Sequence, residues 1–410
     1  MNYVVIVTIC ALLLLAYAFT VSSNKTQIPS VILLILMGWL VKQGIDILHI
    51  VIPDLNPLLP FFGTVGLILI VLEGSLELQF NKRKLPFIGK TFVTAIVPLL
   101  ITAFAIGHFF YYFLDADYKQ GLINAIPLCI ISSAIAISSV GNLGSFNKEF
   151  AIYESSLSDI IGVLFFNFLV LNEVIDIETV GHFGLEILIM LIISFIATAF
   201  LAFLLSRIDH HVKFVPIVLL IILIYAVSEI YHLPALIFIM IFGLIMGNFD
   251  ELERFNWIKR LKPRALDKEV FKFKELTVEA AFLVRSLFFI LFGFLIKTED
   301  VINPHTFELA LGIVGLIYLV RAVQLKIYKV KLMPLLFVAP RGLITILLFI
   351  GIPSTLKIPL VNRALIIQII VLTALIMMFG LMFNKNNSEK DESKKDKNDS
   401  NLKIDIDVPL

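Results

Sequence analysis

Charge is what this chain lacks most. Lys, Arg, Asp and Glu make up only 16% of its 410 residues, while 59% are hydrophobic. A soluble domain needs about a quarter of its residues charged, so a water-soluble fold is excluded and the apolar excess must face lipid or other helices. Cysteine is nearly absent. Cys10 and Cys129 both fall inside apolar runs and form no CxxC pair, which excludes a disulfide framework or thiol redox motif and leaves them as packing residues. The formal net charge of +1 points to no partner, and nothing suggests nucleic acid. No Walker sequence and no nucleophile–base pair is present. The histidines, such as His49, His108 and the His210-His211 pair, fall mainly at the ends of apolar runs and form no metal cluster. The chain therefore gives no basis for an enzyme or for a bound cofactor.

What is there is one apolar run after another, each near the roughly 20 residues that a membrane-spanning helix needs. Thirteen are counted, at about 3–21, 28–46, 59–79, 87–114, 120–143, 149–172, 181–206, 213–229, 233–249, 277–297, 304–325, 333–352 and 360–384. Ala16-Tyr17-Ala18 has the small-x-small look of a signal cleavage site, but no cation precedes the run and the run is too long, so it is read as a first transmembrane helix. One set of alternate loops holds Lys25, Lys82-Arg83-Lys84, Lys148, Arg207 and Lys213. The segment from Arg254 to Lys274, the Arg321 to Lys331 connection and the Lys-rich tail join the same side. The opposite loops are short and often acidic. The positive-inside rule then predicts an outside N-terminus and a cytoplasmic C-terminus in a cell (inner) membrane protein.

Two segments are expected to leave the membrane. Residues 250–276 mix charge with Phe255, Trp257, Ile258, Leu261 and Phe271, the pattern of a cytoplasmic interfacial linker against lipid, broken at Pro263. Residues 385–410 are rich in Lys, Asp, Glu, Ser and Asn and lack aromatics, which predicts a disordered tail. Residues 1–384 form the transmembrane domain, with inverted halves at about 1–172 and 213–384. The halves are suggested by two spans interrupted near mid-membrane. Span 5 carries Ser132-Ser133-Ala134 and Ser138-Ser139-Val140-Gly141, and span 12 carries Pro334 and then Ala339-Pro340-Arg341-Gly342. They lie seven spans apart, an odd offset that reverses direction. Broken helices at matching positions of inverted halves point to a transporter binding site.

Span 6 contains the costliest residues of all: Glu154-Ser155-Ser156-Leu157-Ser158-Asp159, followed by Ile-Ile-Gly-Val-Leu-Phe-Phe. An ionisable residue at that depth is a functional-site hypothesis by default. On a helix Ser155 and Asp159 share a face, with Ser158 adjacent, while Glu154 points about 140° away. Asp159 is the candidate to bind a proton or a small cation in turn, and Ser155 and Ser158 could add the oxygen ligands that hard cations require. A purely structural salt bridge is the plainer role for Asp159. Glu154 is expected to pair with an arginine. Arg341, at the break of span 12, comes first and Arg285, midway along span 10, second, with Glu73, Glu77 and Glu279 as further acids for the two bases. Ser132, Ser133 and Ser138 either bond back to helix carbonyls or line the ion path. Glu73 and Glu77 are read as snorkelling from the end of span 3.

These residues carry a resemblance. Glu154-Ser-Ser-Leu-Ser158-Asp159-Ile-Ile-Gly162-Val-Leu-Phe is similar to the Glu-Ser-x-x-Asn-Asp…Gly-Val-x-x-Phe signature of the monovalent cation:proton antiporter superfamily, sodium/proton exchanger branch. Ala339-Pro340-Arg341-Gly342 resembles that family's Gly-Leu-Arg-Gly segment, Ile28 to Gly38 its second helix, and Leu72-Glu73-Gly74 its Gly-Leu-Glu segment. The resemblance implies an all-α polytopic membrane protein of thirteen spans, with a dimer domain and a core domain holding two crossed, broken helices. It implies exchange of Na+ (K+ or Li+ as alternatives) for H+, with Asp159 binding either ion, Glu154 pairing with Arg341, and a homodimer. Two departures stand out. Position 158 is Ser instead of Asn or Asp, and Ser132-Ser133-Ala134 replaces the family's Thr-Asp-Pro. A single acid at the 158–159 pair predicts electroneutral exchange. The same departures motivate an alternative, a channel-like or sensory protein that keeps the fold without coupling.

Overall fold

A computed structural model describes residues 3–26, 29–49, 55–78, 84–141, 143–173, 175–207, 214–231, 233–248 and 263–404. The described residues are helical, with no strands. In chain order the helices are α1 (Tyr3–Thr26), α2 (Ser30–Ile47), α3 (Leu58–Glu77), α4 (Leu85–Phe113), α5 (Tyr118–Cys129), α6 (Ser133–Ser139), α7 (Ser145–Leu171) and α8 (Ile177–Arg207). They continue with α9 (Phe214–Ile230), α10 (Leu236–Gly247), α11 (Pro263–Phe294), α12 (Thr298–Ile302), α13 (Pro304–Ile327), α14 (Leu343–Gly351) and α15 (Arg363–Ile404). Among the described residues, nine helical segments are long and apolar enough to cross a membrane, and three shorter apolar helices lie at Cys10–Ser22, Phe214–Ile230 and Leu236–Gly247. Broken span 12 completes the thirteen passages expected from hydropathy.

Helix ends follow local chemistry. Asp117 and Gln120 form a reciprocal capping box at the start of α5. The Asn303 side chain accepts from the His305 N–H ahead of α13, whose first residue is Pro304. Pro263 likewise opens α11 instead of breaking a linker, because a first-turn proline gives up an N–H that had no partner anyway. Residues 263–276 are therefore the first turns of a membrane helix, while 250–262 lie outside the described residues. α15 runs on to Ile404 through the stretch where composition predicts disorder. No Pro or Gly follows Gly380 in that stretch to end it.

The helices pack in two groups. α11 lies along α2 and α3, and α10 packs on α3 and α8. In the other group α4 packs on α5, α7 and α13, α7 holds both α5 and α6, and α15 packs on α13. α3 lies at the seam, touching α6, α7 and α14. The α2–α11 crossing is so close that a Cβ on Gly38 would strike the Ile290 carbonyl, and one on Gly293 would strike the Ile35 carbonyl. Small residues let membrane helices approach this way. α8 turns a broad apolar face outward, including Phe195, Ile196 and Phe200.

Candidate functional site

α5 stops at Cys129 and α6 begins at Ser133, leaving extended backbone between them. At this depth no water satisfies the freed amides and carbonyls, so each needs a protein partner. Three side chains and one carbonyl supply them. The Ile131 N–H donates to Ser158 Oγ at 3.0 Å and the Ser133 N–H donates to Asp159 Oδ2 at 3.2 Å. The Ser132 N–H donates to the Pro340 carbonyl at 2.8 Å, which joins the two broken spans directly. On the other side of the gap, Arg341 Nε and Nη2 donate to the Leu128 and Cys129 carbonyls at 2.8 and 3.0 Å, and Nη1 to the Ala339 carbonyl at 2.7 Å. A Cβ on Gly342 would lie 2.7 Å from Ser132 Oγ and 2.8 Å from Ile135 Cδ1. Any larger residue there would have to push the Ser132 and Ile135 side chains aside.

Arg341 therefore does not pair with Glu154, which corrects the sequence expectation. The last carbonyls of α5 point into mid-membrane without intrahelical donors, and a planar guanidinium with five N–H groups meets that need. A cation there also suits the negative end of the α5 dipole. Glu154 finds its partners on α13 instead. Arg321 Nη2 donates to Glu154 Oε2 at 2.9 Å, and Gln324 Nε2 donates to Glu154 Oε1 at 3.2 Å. Arg321 Nε also reaches the Leu335 carbonyl at 2.8 Å, and Gln324 Nε2 the Thr94 carbonyl at 2.8 Å. All three side chains are buried.

Arg321 and Gln324 are not evident from the sequence, where the charge of Arg321 merges with the basic connection running to Lys331. The signal was available: apolar residues continue to Ile327, and positions 321 and 324, three apart, share a helix face. The second-choice partner for Glu154 fails as well. Arg285 pairs with Glu73, at 3.6 Å and nearly buried. Glu73 thus faces α11 instead of snorkelling, because α3 and α11 lie side by side.

The serines have several roles. Ser155 Oγ donates to the Ile152 carbonyl at 3.3 Å, and Ser138 Oγ bonds back to Ala134 and Ile135. Ser132 and Ser133 sit at the gap beside Gly342 and Asp159 respectively. Ser158 meets the same extended stretch as the carboxylate, two residues earlier, at the Ile131 N–H. It lines a cavity of about 20 Å³ with Thr94, Thr102, Arg321, Gln324 and Arg341.

Asp159 is the residue left over. It is 1% exposed, and among the described residues no Lys, Arg or His lies within ion-pair distance of it. Its Oδ2 takes the Ser133 N–H, whereas Oδ1 is buried with no hydrogen-bond partner. A bare carboxylate oxygen out of water is costly. A proton or a cation on Oδ1 removes that cost, and both cannot occupy it together.

Residues 10–384 match the family described as "Sodium/hydrogen exchanger, transmembrane". The chain belongs to that family. It is a transporter, then, and not an enzyme. Among solved structures, the exchanger is similar to the sodium proton antiporter MjNhaP1 from Methanocaldococcus jannaschii at pH 8, with a TM-score of 0.68 at 18% identity over 92% of this chain and 100% of that one. An electron-microscopy structure of the same antiporter gives 0.63 at 19% identity, over 93% of this chain and 95% of the other. At these identities the likeness establishes the fold. No curated protein matched in a sequence search. Positions 133 and 158 of the exchanger are both Ser, so among the described residues Asp159 is the one carboxylate at the crossing.

Proposed function

We propose that this exchanger moves one monovalent cation, Na+ ahead of K+ or Li+, against one proton, with Asp159 binding the two in turn. The observation that carries the reading is the buried, unpartnered Oδ1 of Asp159 at the meeting point of two broken helices. Ser155 contributes a hydroxyl whose hydrogen is committed to Ile152, which leaves its lone pairs for a cation. Ser132 and Ser133 offer further neutral oxygens at the gap. Ser158 is a weaker candidate ligand, because its oxygen already accepts the Ile131 N–H.

One carboxylate, neutralised by either ligand, carries no net charge through a full cycle. The exchange is therefore electroneutral. Access alternates as the group built on α4–α7 and α13–α15 moves against the group built on α1–α3 and α8–α11. The distribution of basic loops supports an outside N-terminus and a cytoplasmic C-terminus in the cell membrane. The exposed apolar face of α8 suits a homodimer.

Purified protein in liposomes with an acidic interior and a pH dye tests the reading. Adding Na+ or K+ should alkalinise the lumen, at a rate unchanged when valinomycin and K+ clamp the membrane potential. Asp159→Asn should abolish the signal, since the amide still accepts the Ser133 N–H but binds neither ion as a charge partner. Undiminished exchange in that variant, or a rate that follows the clamped potential, sinks the mechanism. Ionic current without proton flux would favour the channel-like reading.

A further inference from the structure

From Ala364 to Met378, α15 is apolar except at Gln368 and Thr373. A threonine inside a membrane helix commonly spends its hydroxyl hydrogen on a carbonyl one turn back. Thr373 Oγ1 does so, donating to the Ile369 carbonyl at 2.8 Å with the Ile370 carbonyl at 3.1 Å. Its single hydrogen is thus committed, and the lone pairs are left to accept. They take the Arg341 N–H at 3.1 Å. Thr373 is fully buried, so no water competes for that bond.

The bond matters for where it lies. The Arg341 N–H and the Pro340 carbonyl belong to one peptide unit, which is planar and trans, so the two groups point in opposite directions and turn together. The carbonyl end accepts the Ser132 N–H at 2.8 Å. The next amide along, the Ser133 N–H, donates to Asp159 Oδ2 at 3.2 Å. Thr373 on one side and Ser132 on the other therefore fix the rotation of a single rigid plane. That plane in turn fixes the extended stretch from which Asp159 is held. Tyr318 Oη donates to the Thr373 carbonyl at 3.3 Å, which ties this point of α15 to α13.

We infer that Thr373 is a positioning residue for ion binding. Its hydroxyl orients the Pro340–Arg341 peptide and, through Ser132 and Ser133, keeps the Asp159 carboxylate set before an ion arrives. A site that must be ordered on binding holds its ligand less tightly than one already ordered. The part in ion binding rests on the proposed exchange, whereas the placement of the stretch does not.

Thr373→Val keeps the side-chain shape and removes the hydroxyl. Thr277→Val is the control, because Thr277, buried on α11, makes a similar back-bond to the Phe273 carbonyl at 2.8 Å. The full chain in liposomes is read in two ways: the Na+ KM of exchange, and hydrogen–deuterium exchange of the amides in residues 130–134 by mass spectrometry. Thr373→Val should raise KM about fivefold at nearly unchanged kcat, the worth of one hydrogen bond, and speed amide exchange by a similar factor. Thr373→Ser should restore both, and Thr277→Val should move neither. Should the valine variant not fold, Thr373→Cys, a weaker acceptor, must move both readouts the same way by about twofold. Wild-type values of both readouts in Thr373→Val, no rescue by serine, or an equal shift in Thr277→Val overturns the assignment. Faster amide exchange at an unchanged KM overturns it too, since Thr373 would then serve the fold alone. In a chain that moves no ions the proposed function fails, and the amide readout by itself upholds or overturns the placement.

Discussion

Replacing Arg321 by Met leaves the Glu154 carboxylate, 1% exposed, with Gln324 as its remaining donor. It also leaves the Leu335 carbonyl without the Arg321 Nε–H. Breaking a buried ion pair from one side costs about 3–5 kcal/mol, and an orphaned carbonyl about 1–3 kcal/mol. The charge contribution disappears if residue 154 is already Gln. Glu154→Gln and Arg321→Met should therefore be coupled by about 3 kcal/mol, with the double variant more stable than Arg321→Met alone. Arg341→Met is expected to be at least as damaging, because it strips donors from the Leu128, Cys129 and Ala339 carbonyls. Its cost depends only weakly on the charge of Glu154, which is the smallest of the electrostatic influences on Arg341. Coupling between positions 154 and 341 should stay near 0.5 kcal/mol or less, as for residues without a shared partner. Denaturant titration of the detergent-solubilised protein, followed by tryptophan fluorescence, gives both cycles. A larger coupling for 154–341 than for 154–321 would refute the assigned pairing and restore the expectation from the family signature.

Three further outcomes follow from the same geometry. Gly38→Val should force α2 away from α11, lowering stability by about 1–3 kcal/mol, read as an earlier midpoint in the same titration; an unchanged midpoint would deny the close crossing. Ser158→Ala removes the acceptor for the buried Ile131 N–H and should cost about 1–3 kcal/mol, while the order of preference among Na+, K+ and Li+ stays the same; a reordered preference would make Ser158 an ion ligand after all. Asp176, fully exposed ahead of α8, accepts the Thr179 N–H at 2.8 Å, and that bond holds its carboxyl below the usual carboxylate range. A depressed value means the cap's contribution is intact above the unfolded value and lost only as pH falls through the lowered one. Amide exchange in the first turn of α8 should thus be protected at neutral pH and loosen only in strong acid. Loosening already near pH 6 would contradict the cap.

Residue type and spacing by themselves determined the membrane class, the thirteen passages and the place of both interruptions. The reason is physical: lipid punishes charge and unpaired backbone so heavily that each apolar run, and each exception to it, must be written into the chain. Asp159 was legible for the same reason, as an acid followed by a long apolar run. Pairing was not legible. Arg341, Arg285 and Arg321 are all arginines at membrane depth, and nothing local says which faces Glu154. Only packing decided it. α13 lies against α4, so Arg321 and Gln324 reach Glu154, while the unpaired carbonyls at the end of α5 claim Arg341 and the α3–α11 contact gives Arg285 to Glu73. Among the described residues packing also left Asp159 without a base, and that separates a carboxylate that holds helices together from one that can exchange its ligand.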